Sequence, residues 1–254
     1  MSSVAAGAPG TTAARKPAPR SARRRLGAVL QGVALALGLV LMIGGTALIG
    51  VTYHFFKVPT GSMRPGIDPG DTLAGRPVSG SAVGRGDVVV FQDTAWEQDT
   101  LVKRVVGVGG DTVVCCDAQQ RITVNGTPID EPYLAPAGLA PQIPFNVTVP
   151  AGRLFVLGDN RTGSQDSRVH LGLASGTVPD SAVQARVEAT VWPPSRIGMH
   201  APTTAFAALG RPTAGRSGPL ETEFWAAVAG AALILLTSLI GSVAGLARRI
   251  AGRR

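Results

Sequence analysis

The sequence has few of the residues from which metal centres and disulfide scaffolds are built. It contains two cysteines in 254 residues, and they are neighbours, Cys115 and Cys116. That excludes a disulfide framework and a CxxC zinc site. A bridge between adjacent cysteines is geometrically strained, so two free or alternately paired thiols fit as well as a bond between them. The three histidines, His54, His170 and His200, show no metal-ligand spacing, and no HExxH motif occurs. No metal and no cofactor is expected. Acidic residues are missing from both ends, since all 16 lie between Asp68 and Glu223. Lysine is scarce: only Lys57 and Lys103 occur between the two long apolar runs.

Those runs dominate what is present. Leu26 to Phe56 carries no charge apart from His54, and Phe224 to Leu246 is similarly apolar. Each exceeds the roughly 20 residues that span a bilayer. Arg15, Lys16, Arg20, Arg23, Arg24 and Arg25 precede the first run, and Arg248, Arg249, Arg253 and Arg254 follow the second. These ten exceed the whole net charge of +8; the other 14 basic residues face 16 acidic ones, a balance of −2. Cations outside the spans and acids between them form the positive-inside pattern. It predicts a multi-pass protein of the cell membrane, with both termini cytoplasmic, an extracytoplasmic middle and the lipid bilayer as a partner. A nucleic-acid partner would need a basic patch on a folded domain, and no nucleic acid is expected. A cleaved signal peptide is the alternative for the first run, but that run exceeds the about 7–15 apolar residues of such segments. It is therefore expected to be an uncleaved anchor.

Between the runs the sequence alternates β-branched stretches with turn signals. Asp87–Phe91, Thr100–Val108, Asp111–Cys115, Arg121–Gly126, Arg153–Gly158 and Ala185–Trp192 are predicted strands. Asn125-Gly126 has the chemistry of a tight hairpin turn. No long segment of helical period lies between Lys57 and Met199, which predicts a mainly β domain. The expected organisation is a disordered basic tail over 1–25, a transmembrane helix with its juxtamembrane segment over 26–56 and a β-rich extracytoplasmic domain over 57–199. An Ala/Pro/Gly/Thr-rich linker over 200–223, a second transmembrane helix over 224–246 and a basic tail over 247–254 complete it. Asn-x-Thr triplets at Asn125, Asn146 and Asn160 are short enough to arise by chance.

Directly after the first run comes FFKVPTGSMRPGIDPGD, in which Ser62 lies between Pro59 and Pro65. A flexible tether would be rich in glycine and serine, whereas prolines fix φ on both flanks. Ser62 is either a residue of a stiff turn or a hydroxyl held out to react. A reactive serine needs a neighbouring base. No histidine is well placed in the sequence to supply one, which leaves lysine. In TLVKRVVGV the side chains alternate, so one of Lys103 and Arg104 faces the packed side of the sheet. Arginine cannot lose its proton, so only Lys103 can serve as a base, and burial would favour its neutral form. A strand lysine with its head in water is the competing reading. Farther on, GDNRTGSQDSR (Gly158–Arg168) packs hydroxyls and charges into eleven residues. It is either a polar turn or a segment that orients a catalytic amine.

PTGSMRP, GDVVVF, VKRVVGVGGD and GDNRTGSQDSR, in this order after an N-terminal span, resemble the boxes of bacterial type I signal peptidases, serine proteases of family S26. The boxes and their spacing cover about residues 57–170; Gly109 stands where the family commonly has proline. The resemblance implies a signal-peptidase-like domain of antiparallel sheets, with Ser62 as nucleophile and Lys103 as general base of a Ser/Lys dyad. Ser164 would orient the lysine, and Thr60 would help stabilise the oxyanion. Asp159, Arg161, Asp166 and Arg168 would shape the site, with an ion pair between Asp166 and Arg168. Its substrates would be signal peptides of exported preproteins, cleaved after small residues at −1 and −3 in proximity to the secretion translocon. Val58, Pro59 and Met63 would line the shallow pockets for those residues. The alternative from another class is a non-catalytic, membrane-anchored β-domain that binds an envelope partner.

Overall fold

Arginine and alanine are among the stronger helix formers, and in the computed structural model helix α1 (Arg20–Thr52) begins within the stretch expected to be disordered. The structure describes residues 20–96, 99–135, 143–215 and 217–251; residues 1–19 of the expected N-terminal tail and 252–254 of the C-terminal tail lie outside them. α1 ends before the apolar run does. The aromatic end of the run joins strand β1 (His54–Lys57) instead, as aromatic side chains favour. Helix α2 (Leu220–Ala251) starts earlier and ends later than the expected span. Arg25–Thr52 and Leu220–Ala251 are long and apolar enough to cross a membrane.

The chain divides into two compact units, residues 1–44 with 226–254, and residues 45–225. Within the first, α1 and α2 meet at glycines. A side chain on Gly38 would strike Ile234 and the Gly230 carbonyl, and one on Gly230 would strike the backbone of Gly38 and Met42. Small residues let apolar helices approach this closely.

The second unit is the mainly β domain that the sequence predicts. After β1 come β2 (Thr72–Pro77), β3 (Val88–Phe91), β4 (Leu101–Val108), β5 (Thr112–Cys115), β6 (Ile122–Val124) and β7 (Thr127–Pro128). β8 (Phe145–Thr148), β9 (Arg153–Leu157), β10 (Thr177–Pro179), β11 (Val183–Trp192) and β12 (Gly198–Met199) follow. One antiparallel sheet runs β1-β2-β11-β3-β4-β9-β10 with β12 beside β11, and a second runs β7-β6-β5-β8. All six expected strands are present. The others are short or carry glycine and proline, as in β2 with Gly75 and Pro77, which blurs the alternation. Asn125 and Gly126 take φ of 53° and 77° between β6 and β7, the left-handed pair that a tight hairpin turn requires. Cys115 and Cys116 are joined to each other in a disulfide.

β4 is covered on both faces. Val102 packs with Val58, Met63 and Leu73, while Val105 packs with Val89 and Val156. Lys103 lies between these two positions in the strand and is itself buried.

Residues 200–219 are not the linker expected from their composition. Phe206 is fully buried in the core beside β5 and β9, and Thr213 bridges Arg85. Arg85 also donates to the carbonyls of Gly210 and Pro212 at 3.3 and 3.2 Å, and Gly215 N–H donates to Asp87 at 2.9 Å. One buried aromatic side chain and a few main-chain bonds suffice to fix a segment whose composition reads as loop.

Candidate active site

The turn that carries Ser62 is closed by its own backbone. Val58 N–H donates to Asp71 O at 2.9 Å and Gly70 N–H to Val58 O at 2.8 Å, so the chain returns to β1's partner strand. Inside this loop Arg64 N–H bonds Gly61 O and Ile67 N–H bonds Met63 O. Arg196 ties the loop's far end through Asp71, at 2.9 and 3.1 Å from Nε to the two carboxylate oxygens.

Lys103 enters from β4, where it pairs with Val89 of β3. Its side chain is 2 % exposed, which overturns the reading of a lysine with its head in water. Nζ donates to Ser62 Oγ at 3.0 Å and to its neighbour's carbonyl, Val102 O, at 3.2 Å. Ser62 is itself buried, at 6 %. The Thr60 hydroxyl lies 3.4 Å from Ser62 Oγ. The two sides of this contact come from elements 41 positions apart in the chain.

The segment after β9 forms the third wall. Gly158 leaves no room for a side chain, because a Cβ there would strike the Ser164 hydroxyl and the Ser62 carbonyl. Ser164 is thus packed beside Ser62, but its buried hydroxyl makes no hydrogen bond. Its expected bond to the lysine amine is not formed in this structure. The expected Asp166–Arg168 pair is present, with Arg168 Nε and Nη2 each 2.8 Å from a carboxylate oxygen. Burial alone would raise the Asp166 pKa, but the Arg168 bonds and charge, with the Gly158 N–H, hold it below the usual carboxylate range. The Ser164 hydroxyl is close enough to add to this effect, though its geometry falls short of a hydrogen bond.

Asp159 and Arg161 are held from outside the segment. Arg104, the second cation of the VKRVV stretch, grips Asp159 bidentately at 2.8 and 2.6 Å and lies 3.9 Å over the Tyr133 ring. Arg161 makes a second bidentate pair with Glu131, at 2.9 and 2.5 Å. Burial and the Glu131 carboxylate push the Tyr133 phenol well above its ordinary range, so it remains the donor to Glu131. Glu131 and Tyr133 were not singled out in the sequence; they sit in a Pro-containing stretch that resembles a loop.

Two of the three expected pocket liners occupy different surroundings. Val58 and Met63 are 3 % and 1 % exposed and belong to the core with Ile67 and Val102. The backbone of Val58 is bonded to Gly70 and Asp71, which turns its side chain inward. Pro59 is exposed. Asn160, set aside in the sequence as a chance triplet, donates to the turn of Ser62 from both its backbone and its side chain. Its only signal was its place beside Asp159 in a dense polar run. His170 lies elsewhere, stacked on Trp96 at 4.1 Å, and His200 bonds Thr190.

A hydroxyl and an amine in contact, both withdrawn from water, are suited to acyl transfer. The family described as signal peptidase, peptidase S26, matches residues 29–192, which include Ser62, Lys103 and the segment Gly158–Arg168. Signal peptidase I of Mycobacterium tuberculosis (strain ATCC 25618 / H37Rv) is 47 % identical over 118 residues, 41 % of this chain and 40 % of that protein. Signal peptidase I of Leptolyngbya laminosa is 29 % identical over 189 residues, 70 % of this chain and 87 % of that one. A crystal structure of a signal peptidase I from Enterococcus faecalis V583 has 30 % identity, covers 40 % of this chain and 93 % of its own, and superposes with a TM-score of 0.34. The chain spans about two fifths of the length of the mycobacterial relatives it matches. With the family match covering most of the chain, and the serine, the lysine and the polar segment inside it, this protein belongs to the signal peptidase family, peptidase S26.

Proposed function

We propose that this chain is a membrane-anchored serine endopeptidase that removes signal peptides from exported preproteins through a Ser62/Lys103 dyad. The observation that carries this reading is the 3.0 Å contact between Lys103 Nζ and Ser62 Oγ, with both side chains buried. The amine acts as base in its neutral form, which burial favours over the ammonium. Lys103 takes the proton of Ser62 as Oγ attacks the scissile carbonyl carbon. The resulting oxyanion is stabilised by the Ser62 N–H and the Thr60 hydroxyl, donors of a kind that each contribute roughly 3 kcal/mol. Collapse breaks the C–N bond, and the Lys103 ammonium returns its proton to the departing amine of the mature protein. Water, deprotonated by Lys103, then attacks the ester and frees Ser62 and the signal peptide.

The substrate lies extended along β4. β9 pairs with β4 only from Arg104 onward, so the side of Leu101 and Val102 away from β3 carries no strand partner among the described residues. A chain added there alternates its side chains, so the residues at −1 and −3 face the same wall and must be small. Of the three expected liners, Pro59 is the exposed one. The two apolar helices hold the enzyme in the cell membrane with both termini cytoplasmic, beside the translocon from which signal peptides emerge.

The test is cleavage of a preprotein with an Ala-x-Ala site by the full chain in detergent or lipid, against Ser62→Ala. The wild type should release the mature protein and the variant should not. Failure of the wild type beside an active control would exclude the enzyme reading in favour of a binding domain.

A further inference from the structure

Ser62 must be held at one height and one orientation relative to Lys103, and its own turn does not do this unaided. The bonds within the turn, Arg64 N–H to Gly61 O and Ile67 N–H to Met63 O, fix its curvature. None of them fixes it against β4, from which the lysine comes. Val58 and Met63 pack against Val102 of β4, and the directional bonds to the peptide units around Ser62 come from a residue on the loop after β9. Asn160 N–H donates to Ser62 O at 3.0 Å, and Asn160 Nδ2 donates to Gly61 O at 3.0 Å. These are consecutive carbonyls, so one residue grips the nucleophile's own peptide unit and the one before it.

The clamp is itself oriented. Asn160 Oδ1 accepts from the Thr162 hydroxyl at 3.2 Å, and Gly163 N–H donates to Asn160 O at 3.0 Å. With Oδ1 occupied by a donor, the amide cannot flip without setting an acceptor against Gly61 O. A side chain on Gly163 would press on Asn160 Nδ2. The preceding residue, Asp159, is fixed by two bonds from Arg104, the immediate neighbour of Lys103 on β4. The strand that carries the amine therefore also anchors the loop that holds the hydroxyl.

We propose that Asn160 is a positioning residue that sets the distance from Ser62 Oγ to Lys103 Nζ through its paired bonds to Gly61 and Ser62. The proposal rests on the Ser/Lys enzyme reading. A group that acts on the attacking geometry changes the turnover step more than substrate binding. Asn160→Ala removes the bond to Gly61 and leaves the backbone bond to Ser62. It should lower kcat about tenfold, the scale of one lost hydrogen bond, with KM within about twofold. Asn160→Asp is the same size but offers only acceptors at neutral pH, which opposes the Gly61 carbonyl. It should be slower than Asn160→Ala, an order opposite to that expected if the side chain merely filled space.

Preprotein cleavage by the full chain measures both variants, and amide hydrogen exchange over residues 58–66 provides a readout independent of turnover. Exchange should be faster in both variants, with the thermal unfolding temperature close to that of the wild type. If the wild type cleaves and Asn160→Ala keeps kcat within twofold, or if Asn160→Asp outperforms Asn160→Ala, the proposal is overturned. If the wild type cleaves nothing, the enzyme reading fails, and the clamp is then judged by exchange alone: unchanged protection overturns it.

Discussion

The carboxylate of Asp111 meets the guanidinium of Arg85 in two parallel bonds of 2.6 Å, with both side chains buried. Arg85 approaches β3 in the main sheet, and Asp111 introduces β5 of the second, so the pair fastens one sheet to the other. Asp111 also accepts from Val108 N–H and the Asn125 amide, each at 2.8 Å. Burial alone would raise its pKa, but these donors bring it below the usual aspartate value.

Acid should therefore loosen the domain. Asp111 and Asp166 both titrate lower in the folded state than in the unfolded chain. Stability from such groups is complete above about pH 4, the ordinary aspartate value, and is lost as the pH falls through the folded-state values. Thermal unfolding of the full chain, followed by tryptophan fluorescence, should show a falling midpoint below about pH 4. Asp111→Asn should flatten this acid limb. At neutral pH it should cost about 3–5 kcal/mol, the usual penalty for leaving one member of a buried pair alone. An acid limb identical to that of the wild type would rule out Asp111 as a source of the effect.

Gly158→Ala should disable the site without unfolding the domain. The added methyl would strike the Ser164 hydroxyl and the Ser62 carbonyl, groups beside the proposed nucleophile. A shift of about 1 Å in catalytic geometry can cost on the order of 100-fold. Cleavage by this variant should fall by at least that much while its circular dichroism stays unchanged. Wild-type turnover in Gly158→Ala would mean that the loop after β9 yields freely.

Phe206→Ala tests whether residues 200–219 belong to the folded domain. Phe206 is fully buried, in one cluster with Val113, Phe145 and Phe155, and truncating a core phenylalanine costs about 3–5 kcal/mol. Chemical denaturation should show a loss of that size. A change under about 0.5 kcal/mol, typical of surface sites, would restore the linker reading.

The parts of this fold that were legible in the sequence are those with local causes. Val88–Phe91 and Leu101–Val108 are strands because β-branched residues run between Gly and Asp breakers, and Asn125-Gly126 turns because only a left-handed pair fits there. Ser62 and Lys103 were legible as types, since one needs a base and the other is the lysine inside an apolar strand, away from Lys57 at the edge of the first apolar run. What brings them together, the register of β4 on β3 and the return of the Val58–Asp71 loop, is non-local and leaves no pattern in either segment. The same holds for Glu131 and Arg161, 30 positions apart, and for Asn160, whose two bonds reach back 99 positions to Gly61 and nearly as far to Ser62. Val58 and Met63 are expected from the resemblance to line shallow pockets for the substrate's small side chains. In the structure both are buried in the core with Leu73, Val90 and Val102.

Replacing Lys103 by arginine separates a base from a positive charge. Both side chains donate hydrogen bonds, but arginine stays charged and cannot accept the Ser62 proton. If the 3.0 Å contact to Ser62 Oγ is the path of that proton, Lys103→Arg should be as inactive as Lys103→Ala. Each should lose roughly 100- to 10,000-fold in turnover, the range that general bases contribute. Because the site is 2 % exposed, the bulkier guanidinium must be checked for folding, and Lys103→Met provides an uncharged control of similar length. Thermal midpoints near the wild type for Lys103→Met, together with lost cleavage, would assign the defect to chemistry. Partial rescue by arginine would show that the charge of residue 103 contributes to catalysis, and would remove it from the role of base.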